Sequence, residues 1–331
     1  MGLLFLWSTC MKILVTGGAG FIGSHVVDGY ISKGNEVVVV DNLSSGKWEN
    51  INKKAKFYLV DIRDKDVLEK IFEKEEIDIV NHHAAQISVP LSVQNPALDA
   101  EINVLGLLNI LELSVKYHVK KVIFISSGGA IYGEADEYPT TENYPPKPLS
   151  PYAVTKFISE KYLYYYSHQF GLDFTVLRYA NVYGPRQIPH GEAGVVSIFM
   201  TKLLKGEKCT IYAYKDEMEG MKRDYVYVKD VVKANILALT KGSKDVFNIG
   251  TGIPTSTEAL FSKIFIIMKK MCNIPDDLRF TNKAPQRPGD IRRSCLNISK
   301  AKKCLKWKPD YDLTKGIKET AIWQIKHFKG V

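Results

Sequence analysis

Apolar runs of strand length alternate with helix-like stretches over the first 180 residues of this 331-residue chain. Several runs, such as "EVVVV", are continuously apolar rather than alternating apolar with polar residues. Such runs are typical of parallel strands that helices cover on both faces. The pattern therefore predicts an α/β fold with a doubly wound parallel sheet of the Rossmann type. The predicted strands are 12–16, 36–41, 56–60, 77–82, 121–126 and 174–178, and the predicted helices are 21–33, 65–74, 98–117 and 151–170.

The alternation weakens beyond residue 180, where glycines and prolines interrupt short apolar runs. We expect this part to form a smaller C-terminal α/β lobe. The run "DVFNIGTG" (245–252) predicts a late strand that returns to the sheet. The predicted division is a dinucleotide-binding domain over 11–180, which regains part of 225–250, and a second lobe over 181–331.

The segment "VTGGAGFIGSH" places Gly17, Gly20 and Gly23 between the first strand and the first helix. Glycines at this spacing allow a tight turn, close approach of the backbone to a pyrophosphate, and close helix–strand packing. Asp41 ends the second strand, where a carboxylate can bind the adenosine ribose. Because that carboxylate would repel a 2′-phosphate, the pattern predicts NAD rather than NADP as cofactor. The alternative for Asp41 is a turn residue in "DNLSSG".

Two further strand ends carry candidate cofactor residues, because ligands of parallel sheets bind at the carboxyl ends of the strands. Asp61 ends the third strand, where it either faces the adenine or caps the following helix. Small Ala84 and Ala85 follow the fourth strand and would let a cofactor lie close. The adjacent His82 and His83 indicate packing or cofactor contact rather than a metal site, since no third ligand is evident.

The segment "SPYAVTK" (150–156) predicts an active-site helix. Ser150 is expected to cap it, with Tyr152 in the first turn and Lys156 one turn later on the same face. A lysine ammonium near a phenol, together with the helix N-terminus, should lower the pKa of the phenol and make it a general base. Strand five ends in Ser126 and Ser127, so a serine hydroxyl is expected beside the phenol. These groups suit hydride transfer at a carbinol.

Composition excludes several classes of protein. The net charge of +9 comes from 45 basic and 36 acidic residues, but the lysines are scattered and no aromatic–basic motif indicates nucleic acid. Five cysteines without a C-x-x-C pair argue against a disulfide framework or a zinc site and favour the cytoplasm. No run approaches the length of a membrane span. We expect residues 1–10 to be an upstream extension, with Met11 the usual first residue.

Together, the glycine motif, Asp41, the serines of strand five and Y-x-x-x-K resemble the extended short-chain dehydrogenase/reductase family. The later motifs "SSGGAIYGE", "LRYANVYGPRQ", "HGEAGVVSIF", "RDYVYVKDVV", "FNIGTG" and "RPGD" closely resemble those of UDP-glucose 4-epimerases. The resemblance runs from about residue 12 to the C-terminus. It implies a tightly bound NAD, a UDP-sugar substrate in the C-terminal lobe, and a homodimer formed through the helices at 98–117 and 151–170.

The resemblance also implies the roles of individual residues. Arg223 and Arg287 would clamp the diphosphate, while Asn181 and the backbone at Val195 and Val196 would hold the nucleotide. Asp290 would contact the ribose or orient Arg287. It further implies cofactor contacts at Phe21, Ile22, Asn42, Ser44, Gly46, Ile62, His83, Gln86, Asn103, Ser126 and Tyr179, and substrate contacts at Tyr212 and Ser294, besides the residues already named.

The implied reaction oxidises the sugar at C4, lets the 4-keto sugar rotate, and reduces its opposite face, with Tyr152 moving the proton. Many relatives have a catalytic serine or threonine at the position of Gly128. Ser127 is therefore the favoured hydroxyl here, with water or Tyr152 alone as alternatives. A 4,6-dehydratase would need an acid pair where Gly129 and Ala130 stand. A UDP-glucuronate epimerase or decarboxylase and a non-catalytic NAD-binding regulator are the remaining alternatives.

Ser294 predicts the range of sugars, since the resemblance implies that a large residue at this position crowds the sugar's 2-position. A small serine should admit an N-acetyl group. We expect the wild type to turn over both UDP-glucose/UDP-galactose and the N-acetylated pair, and Ser294→Tyr to lose the acetylated pair alone. Product sugars resolved by chromatography would measure this. A wild type inactive on the acetylated pair would contradict the pocket argument.

Overall fold

A computed structural model describes residues 10–189, 194–287 and 290–328 of the chain. The extension predicted for residues 1–10 lies outside the described residues except for Cys10. The same holds for residues 190–193 and 288–289, which belong to two of the motifs quoted above. No helix in the described ranges is long and apolar enough to cross a membrane.

Parallel strands form the central sheet, and the described residues contribute seven of them. Their order is β10-β6-β5-β4-β1-β2-β3, so the chain winds outward from β1 in both directions. This arrangement confirms the predicted fold class. The strands are β1 (Lys12–Thr16), β2 (Glu36–Asp41), β3 (Lys56–Leu59), β4 (Ile79–His82), β5 (Lys121–Ser127), β6 (Asp173–Tyr179) and β10 (Asp245–Ile249). The strands numbered β7 to β9 come before β10 in the chain and belong to the second region described below.

Alternate residues of the central strands enter two different cores, which explains their unbroken apolar sequences. In β1, Ile13 and Val15 pack on one face of the sheet, while Leu14 packs on the other. In β2, Val39 belongs to the first core and Val38 to the second. Because side chains alternate along a strand, a strand covered on both faces needs apolar residues at every position.

Helices on the two faces supply the covering layers. The first core includes residues of α1 and α8, and the second includes residues of α2, α5 and α6. The helices are α1 (Phe21–Ser32), α2 (Lys65–Glu75), α3 (Val89–Gln94), α4 (Pro96–Ala100), α5 (Gly106–Lys116), α6 (Pro151–Phe170), α7 (Val195–Leu204), α8 (Val228–Ala238), α9 (Thr257–Met271) and α10 (Leu313–Phe328). A π-helical turn, Glu101–Leu105, joins α4 to α5, so the predicted helix over 98–117 is interrupted in its hydrogen bonding but continuous in direction.

A second region carries its own core, built from α7, α9, α10 and short strands. Within the described residues, β9 pairs with β7, β11 and β13, and β8 pairs with β12. The strands are β7 (Asn181–Tyr183), β8 (Thr210–Ala213), β9 (Lys222–Tyr227), β11 (Pro254–Ser256), β12 (Asn282–Pro285) and β13 (Arg293–Ser294). The exact division of the chain into two domains stays a prediction.

Side-chain caps decide two of the sequence expectations. The Ser150 hydroxyl accepts a hydrogen bond from the backbone N–H of Ala153 at 3.2 Å, which confirms the predicted start of α6. The cap of α2 is Asp64, whose carboxylate accepts from the N–H of Val67 at 3.2 Å. The alternative that Asp61 caps α2 is therefore wrong, because Asp64 stands directly before the first helical residue.

Candidate active site

The carboxyl ends of the central strands open into one cavity of about 820 Å³ that reaches into the second region. It lies where the strand order reverses between β1 and β4, the position at which α/β sheets bind ligands. The predicted catalytic, cofactor and substrate residues all line this cavity except Gly46, Asn103 and Ser294. The chain thus brings together in space residues that are as far apart in sequence as Gly17 and Asp290.

The three exceptions lie behind the cavity wall. A Cβ on Gly46 would lie 2.8 Å from an Asp41 carboxylate oxygen, so this glycine makes room for Asp41. The Asn103 amide bonds the backbone N–H and C=O of Gln86 at 2.8 and 3.1 Å, and therefore holds the loop after β4 rather than lining the cavity. Ser294 is buried in β13 in register with Arg223.

The turn after β1 fits a dinucleotide. Gly17 has φ +69°, and a Cβ there would lie 2.6 Å from the backbone nitrogen of Ala84. A Cβ on Gly23 would lie 2.2 Å from the carbonyl oxygen of Gly17. Both positions therefore require glycine. No side chain of the described residues caps α1, which leaves its N-terminal N–H groups facing the cavity, where they suit a pyrophosphate.

Asp41 serves the turn and also lines the cavity. One carboxylate oxygen accepts from the N–H of Ala19 at 2.9 Å, and the other accepts from the N–H of Leu43 at 2.8 Å. Each oxygen has a second lone pair that can accept a ribose hydroxyl. The turn-residue and ribose-binding alternatives for Asp41 are thus compatible in one geometry.

Asp61 lines the cavity, but its carboxylate already accepts hydrogen bonds from neighbouring side chains. Arg63 donates to both carboxylate oxygens at 3.0 and 2.8 Å, and Asn42 donates at 2.9 Å. These hydrogen bonds, led by those from Arg63, hold the pKa of Asp61 well below its usual range. The arrangement makes Asp61 a rigid edge of the cavity at the side of β3.

Of the two serines that end β5, Ser127 is the one placed to do the work of the catalytic serine or threonine found in many epimerases. Ser127 lies close enough to the Tyr152 phenol to lower its pKa, whereas a Cβ on Gly128 would point at Leu296, 2.6 Å from its Cδ1. Side chains alternate along the strand end, so the two positions face different surroundings. The Ser126 hydroxyl is engaged elsewhere, donating to Glu160 at 2.6 Å.

Burial dominates the chemistry of the catalytic pair in the chain itself. It raises the pKa of Tyr152 to about 12, and the influence of Ser127, which lowers that pKa, offsets this only in part. Burial also lowers the pKa of Lys156 to about 8. The Lys156 ammonium donates to the carbonyl oxygen of Ile125 at 3.0 Å and lies 5.0 Å from the centre of the Phe124 ring. The expectation that Lys156 and the helix lower the pKa of the phenol is therefore wrong for the chain alone.

His82, the last residue of β4, and His83, which follows it, are neutral groups of the interior. The His82 ring shares a hydrogen bond with the Thr16 hydroxyl at 2.9 Å, and the His83 ring packs 6.4 Å from that of Tyr179. Burial lowers the pKa of both histidines to about 3. Within the described ranges, no three histidine, cysteine or acidic side chains are grouped as metal ligands.

The far end of the cavity carries positive charge. Arg223 is half-buried, and its Nη1 donates to the carbonyls of Lys222 and Arg292, at 3.0 and 3.4 Å. Arg287 lies over the Tyr212 ring at 4.8 Å, and Asp290 accepts from its Nε at 3.2 Å. Asp290 thus orients Arg287, which was one of the two roles expected for Asp290; the other was contact with the ribose. Two guanidinium groups at one end suit a diphosphate.

A second helix N-terminus completes this end. Gly194 precedes α7 with φ +86°, and no side chain in the described part of the chain caps the helix, so Val195 and Val196 bring backbone N–H groups to the cavity. Sequence reasoning missed Gln187, which also lines the cavity and donates to the carbonyl of Val182 at 3.1 Å. Its Oε1 is buried without a partner among the described residues. The sequence signal that could have indicated Gln187 is its position at the end of the motif "LRYANVYGPRQ".

Comparisons with known proteins agree on one family. The model of the NAD dependent epimerase/dehydratase family matches residues 13–250. UDP-glucose 4-epimerase of Mycolicibacterium smegmatis is 42% identical over 316 residues, covering 94% of this chain and 97% of the relative. The crystal structure of UDP-glucose 4-epimerase from Thermotoga maritima with UDP-glucose has a TM-score of 0.90 at 50% identity, covering 96% of this chain and 100% of that one. The NAD complex of the enzyme from Thermus thermophilus has a TM-score of 0.85 at 44% identity, covering 95% and 99%.

Asp41→Asn is expected to weaken binding of NAD about tenfold or more. In either orientation the amide NH₂ would face a backbone N–H, of Ala19 or of Leu43, and a buried group left unpaired in this way costs about 1–3 kcal/mol. Calorimetric titration of NAD into cofactor-depleted protein would measure the change. The matched control is Asp64→Asn, since asparagine caps a helix as well as aspartate does. Equal affinity in Asp41→Asn and the wild type would contradict a role in the cofactor turn.

Proposed function

Because this chain belongs to the NAD dependent epimerase/dehydratase family, we propose that it inverts the C4 hydroxyl of a UDP-hexose. The proposed substrates are UDP-glucose and UDP-galactose, and also the N-acetylated pair. One observation carries the proposal: a single cavity joins the glycine turn, the Ser127–Tyr152 contact and the Arg223–Arg287 end. A dinucleotide, a reacting sugar and a diphosphate would lie in that order along it.

The chain's own residues handle the proton. In this proposal, Tyr152 accepts the proton of the sugar 4-hydroxyl at its phenol oxygen and later returns it, while Ser127 donates to the same oxygen as it becomes negative. Lys156 contributes a buried positive charge from the next turn of α6. NAD supplies a reversible hydride acceptor and, in its oxidised form, a further positive charge that favours the phenolate of Tyr152.

Inversion also needs a sugar that is held at one end and free at the other. Arg223 and Arg287 would hold the diphosphate while the sugar turns. Beside the catalytic pair the wall is open, because a Cβ on Gly129 would approach nothing among the described residues closer than Asn181 Oδ1 at 3.5 Å. A clamp at the charged end with space at the reactive end supports epimerisation, in which both faces of one carbon are presented in turn.

Other reactions of nucleotide sugars are less well supported. A 4,6-dehydratase needs acidic side chains close to Ser127, and Gly129 and Ala130 provide none. An epimerase or decarboxylase of UDP-glucuronate is the second candidate, since Arg223, which lines the cavity, could also face a sugar carboxylate. Incubation with UDP-galactose, UDP-N-acetylgalactosamine and UDP-glucuronate separately, with products resolved, distinguishes these. Conversion of UDP-glucuronate alone would overturn the proposed substrate.

Tyr152→Phe is expected to lower turnover of UDP-galactose by about 10²–10⁴, the usual contribution of general acid–base catalysis. NAD should remain bound, because phenylalanine keeps the ring that lines the cavity. Turnover and the NAD content of the purified protein would be measured together. Tyr164→Phe is the matched control, because Tyr164 lies on the same helix but is 67% exposed. Full activity of Tyr152→Phe would remove this phenol from the mechanism.

We also propose a cytoplasmic homodimer. Cys10, Cys209, Cys295 and Cys304 are free thiols, which supports a reducing compartment. Val154, Ile158 and Tyr165 form an exposed apolar stripe along α6, and Leu105 is exposed before α5. Apolar side chains that recur on one face of a helix suit packing against a second copy.

Ile158→Glu is expected to shift the protein from dimer to monomer, because it places a charge within this apolar face. Light scattering coupled to size-exclusion chromatography would measure the mass. Ile266→Glu is the control, since Ile266 is similarly exposed but lies on α9 in the second region. A monomeric wild type, or dissociation by both variants alike, would argue against an interface at α6.

A further inference from the structure

Arg292 lies beside the charged end of the cavity and has no role in the mechanism proposed above. It is not among the described residues that line the cavity, and 41% of its side chain is exposed. Its guanidinium is nevertheless held on two sides. Nη1 donates to both carboxylate oxygens of Asp216, at 3.0 and 2.9 Å, and the guanidinium carbon lies 4.0 Å from the centre of the Tyr214 ring. These contacts fix the position of a side chain that water also reaches.

The partners of this guanidinium lie in one tight turn directly after β8. The backbone N–H of Glu217 donates to the carbonyl oxygen of Tyr214 at 3.0 Å and closes the turn. The Tyr214 hydroxyl donates to the carbonyl oxygen of Asp290 at 2.5 Å. The turn therefore holds a short segment at two points, at Asp290 through the phenol and at Arg292 through the Tyr214 ring and the Asp216 carboxylate.

That segment, residues 290–292, contacts both arginines at the diphosphate end of the cavity. The Asp290 carboxylate accepts from Nε and Nη2 of Arg287, at 3.2 and 3.3 Å. The Arg292 carbonyl oxygen accepts from Nη1 of Arg223 at 3.4 Å. Orientation decides whether a guanidinium can bond two oxygens of a phosphate at once. A displacement of the segment would therefore misalign both guanidinium groups together.

The pair of Arg292 and Asp216 suits positioning better than support of the fold. Its side chains are 41% and 69% exposed, and an ion pair so exposed contributes little to the free energy of unfolding because water screens it. The backbone of Arg292 has bonds of its own. Its N–H donates to Glu134 at 2.6 Å, and its carbonyl accepts from the N–H of Lys222 at 2.9 Å. A change of the Arg292 side chain should thus leave the chain folded.

We propose that Arg292 is a positioning residue for a nucleotide diphosphate. Its side chain holds the segment 290–292 against the turn after β8 and thereby orients Arg223 and Arg287 toward the two phosphates. Arg292 acts through these two residues and does not itself contact the substrate. The inference deepens the proposed function and rests on it, because the proposed function places the diphosphate at this end.

Arg292→Met tests the proposal, because it removes the contacts with Asp216 and Tyr214 but keeps an unbranched side chain and the backbone bonds. Calorimetric titration of UDP into the NAD-loaded protein should show about tenfold lower affinity than the wild type, since charge-assisted contacts to the phosphates are misaligned. The NAD content and the melting temperature should stay at their wild-type values. Unchanged affinity for UDP, or a lower melting temperature with unchanged affinity, would overturn the proposal.

Arg293→Met is the matched control for charge. Arg293 is the next residue, its side chain is 54% exposed, and its Nη2 donates to Glu217 at 3.2 Å rather than to Asp216. Either substitution removes one positive charge near the same end of the cavity. The control should therefore bind UDP much more tightly than Arg292→Met does. Equal losses in the two variants would indicate a general effect of charge and would contradict a positioning role.

Asp216→Ala approaches the same contact from the turn, and it decides the question even if Arg292→Met fails to fold. Loss of a negative charge near an anion site would by itself strengthen the binding of UDP. The proposal requires the opposite sign, weaker binding, because the guanidinium of Arg292 loses its partner. The double variant should lose no more affinity than Arg292→Met alone, since both changes remove one contact. Tighter binding of UDP by Asp216→Ala would refute the positioning role.

Kinetics separate this inference from the proposed function. In turnover of UDP-galactose, Arg292→Met should raise KM and leave kcat nearly unchanged, because Tyr152 and Ser127 lie away from the diphosphate end. A fall in kcat without a change in KM would contradict the inference. A wild type that binds UDP but converts no UDP-sugar would instead contradict the proposed function, and the UDP titrations would still decide the role of Arg292. A wild type that binds no UDP would overturn both.

Discussion

Burial of the parallel sheet on both faces is the constraint on which the rest of this molecule depends. Because helices cover the strands, apolar residues fill every position of β1 and β2 except their ends. The residues that line the cavity therefore gather where the strands end. The glycine turn, Asp41, His83 and the serines of β5 all lie at carboxyl ends, so a single cavity collects them. The position of the site follows from the apolar interior of the sheet, which leaves the strand ends as the place for polar functional residues.

A buried ion pair lies beside that cavity. Glu160 of α6 and Arg178 of β6 form a closed pair that fixes the catalytic helix on the sheet. Buried Asp99 and Lys156 instead hydrogen-bond to uncharged partners. A buried charge is strongly unfavourable unless another compensates it, so such pairs impose a definite geometry on the elements that carry them. This gives the catalytic residues a rigid frame while the sugar end stays open.

The candidate site divides into parts that follow from local sequence and parts that do not. Gly17, Gly23 and Ser150 act within a few residues of their positions, through φ, close approach and capping, and a sequence motif can express such requirements. Gln187 and Asp99 act through residues remote in the chain, and no spacing rule indicates them. The pKa of Tyr152 belongs to the second kind, because burial, which local sequence does not specify, is the main influence that raises it.

The sequence by itself determined the fold class, the dinucleotide turn and the catalytic pair of α6. Each of these depends on the pattern of apolar residues or on the spacing of residues that are close together in the chain. Only the tertiary structure decided that Asn103 and Ser294 do not line the cavity and that Asp99 bonds to Thr155 of the catalytic helix. The physical reason is distance along the chain. Hydrogen bonds and charges between distant segments depend on packing, and packing exists only once the whole chain has folded.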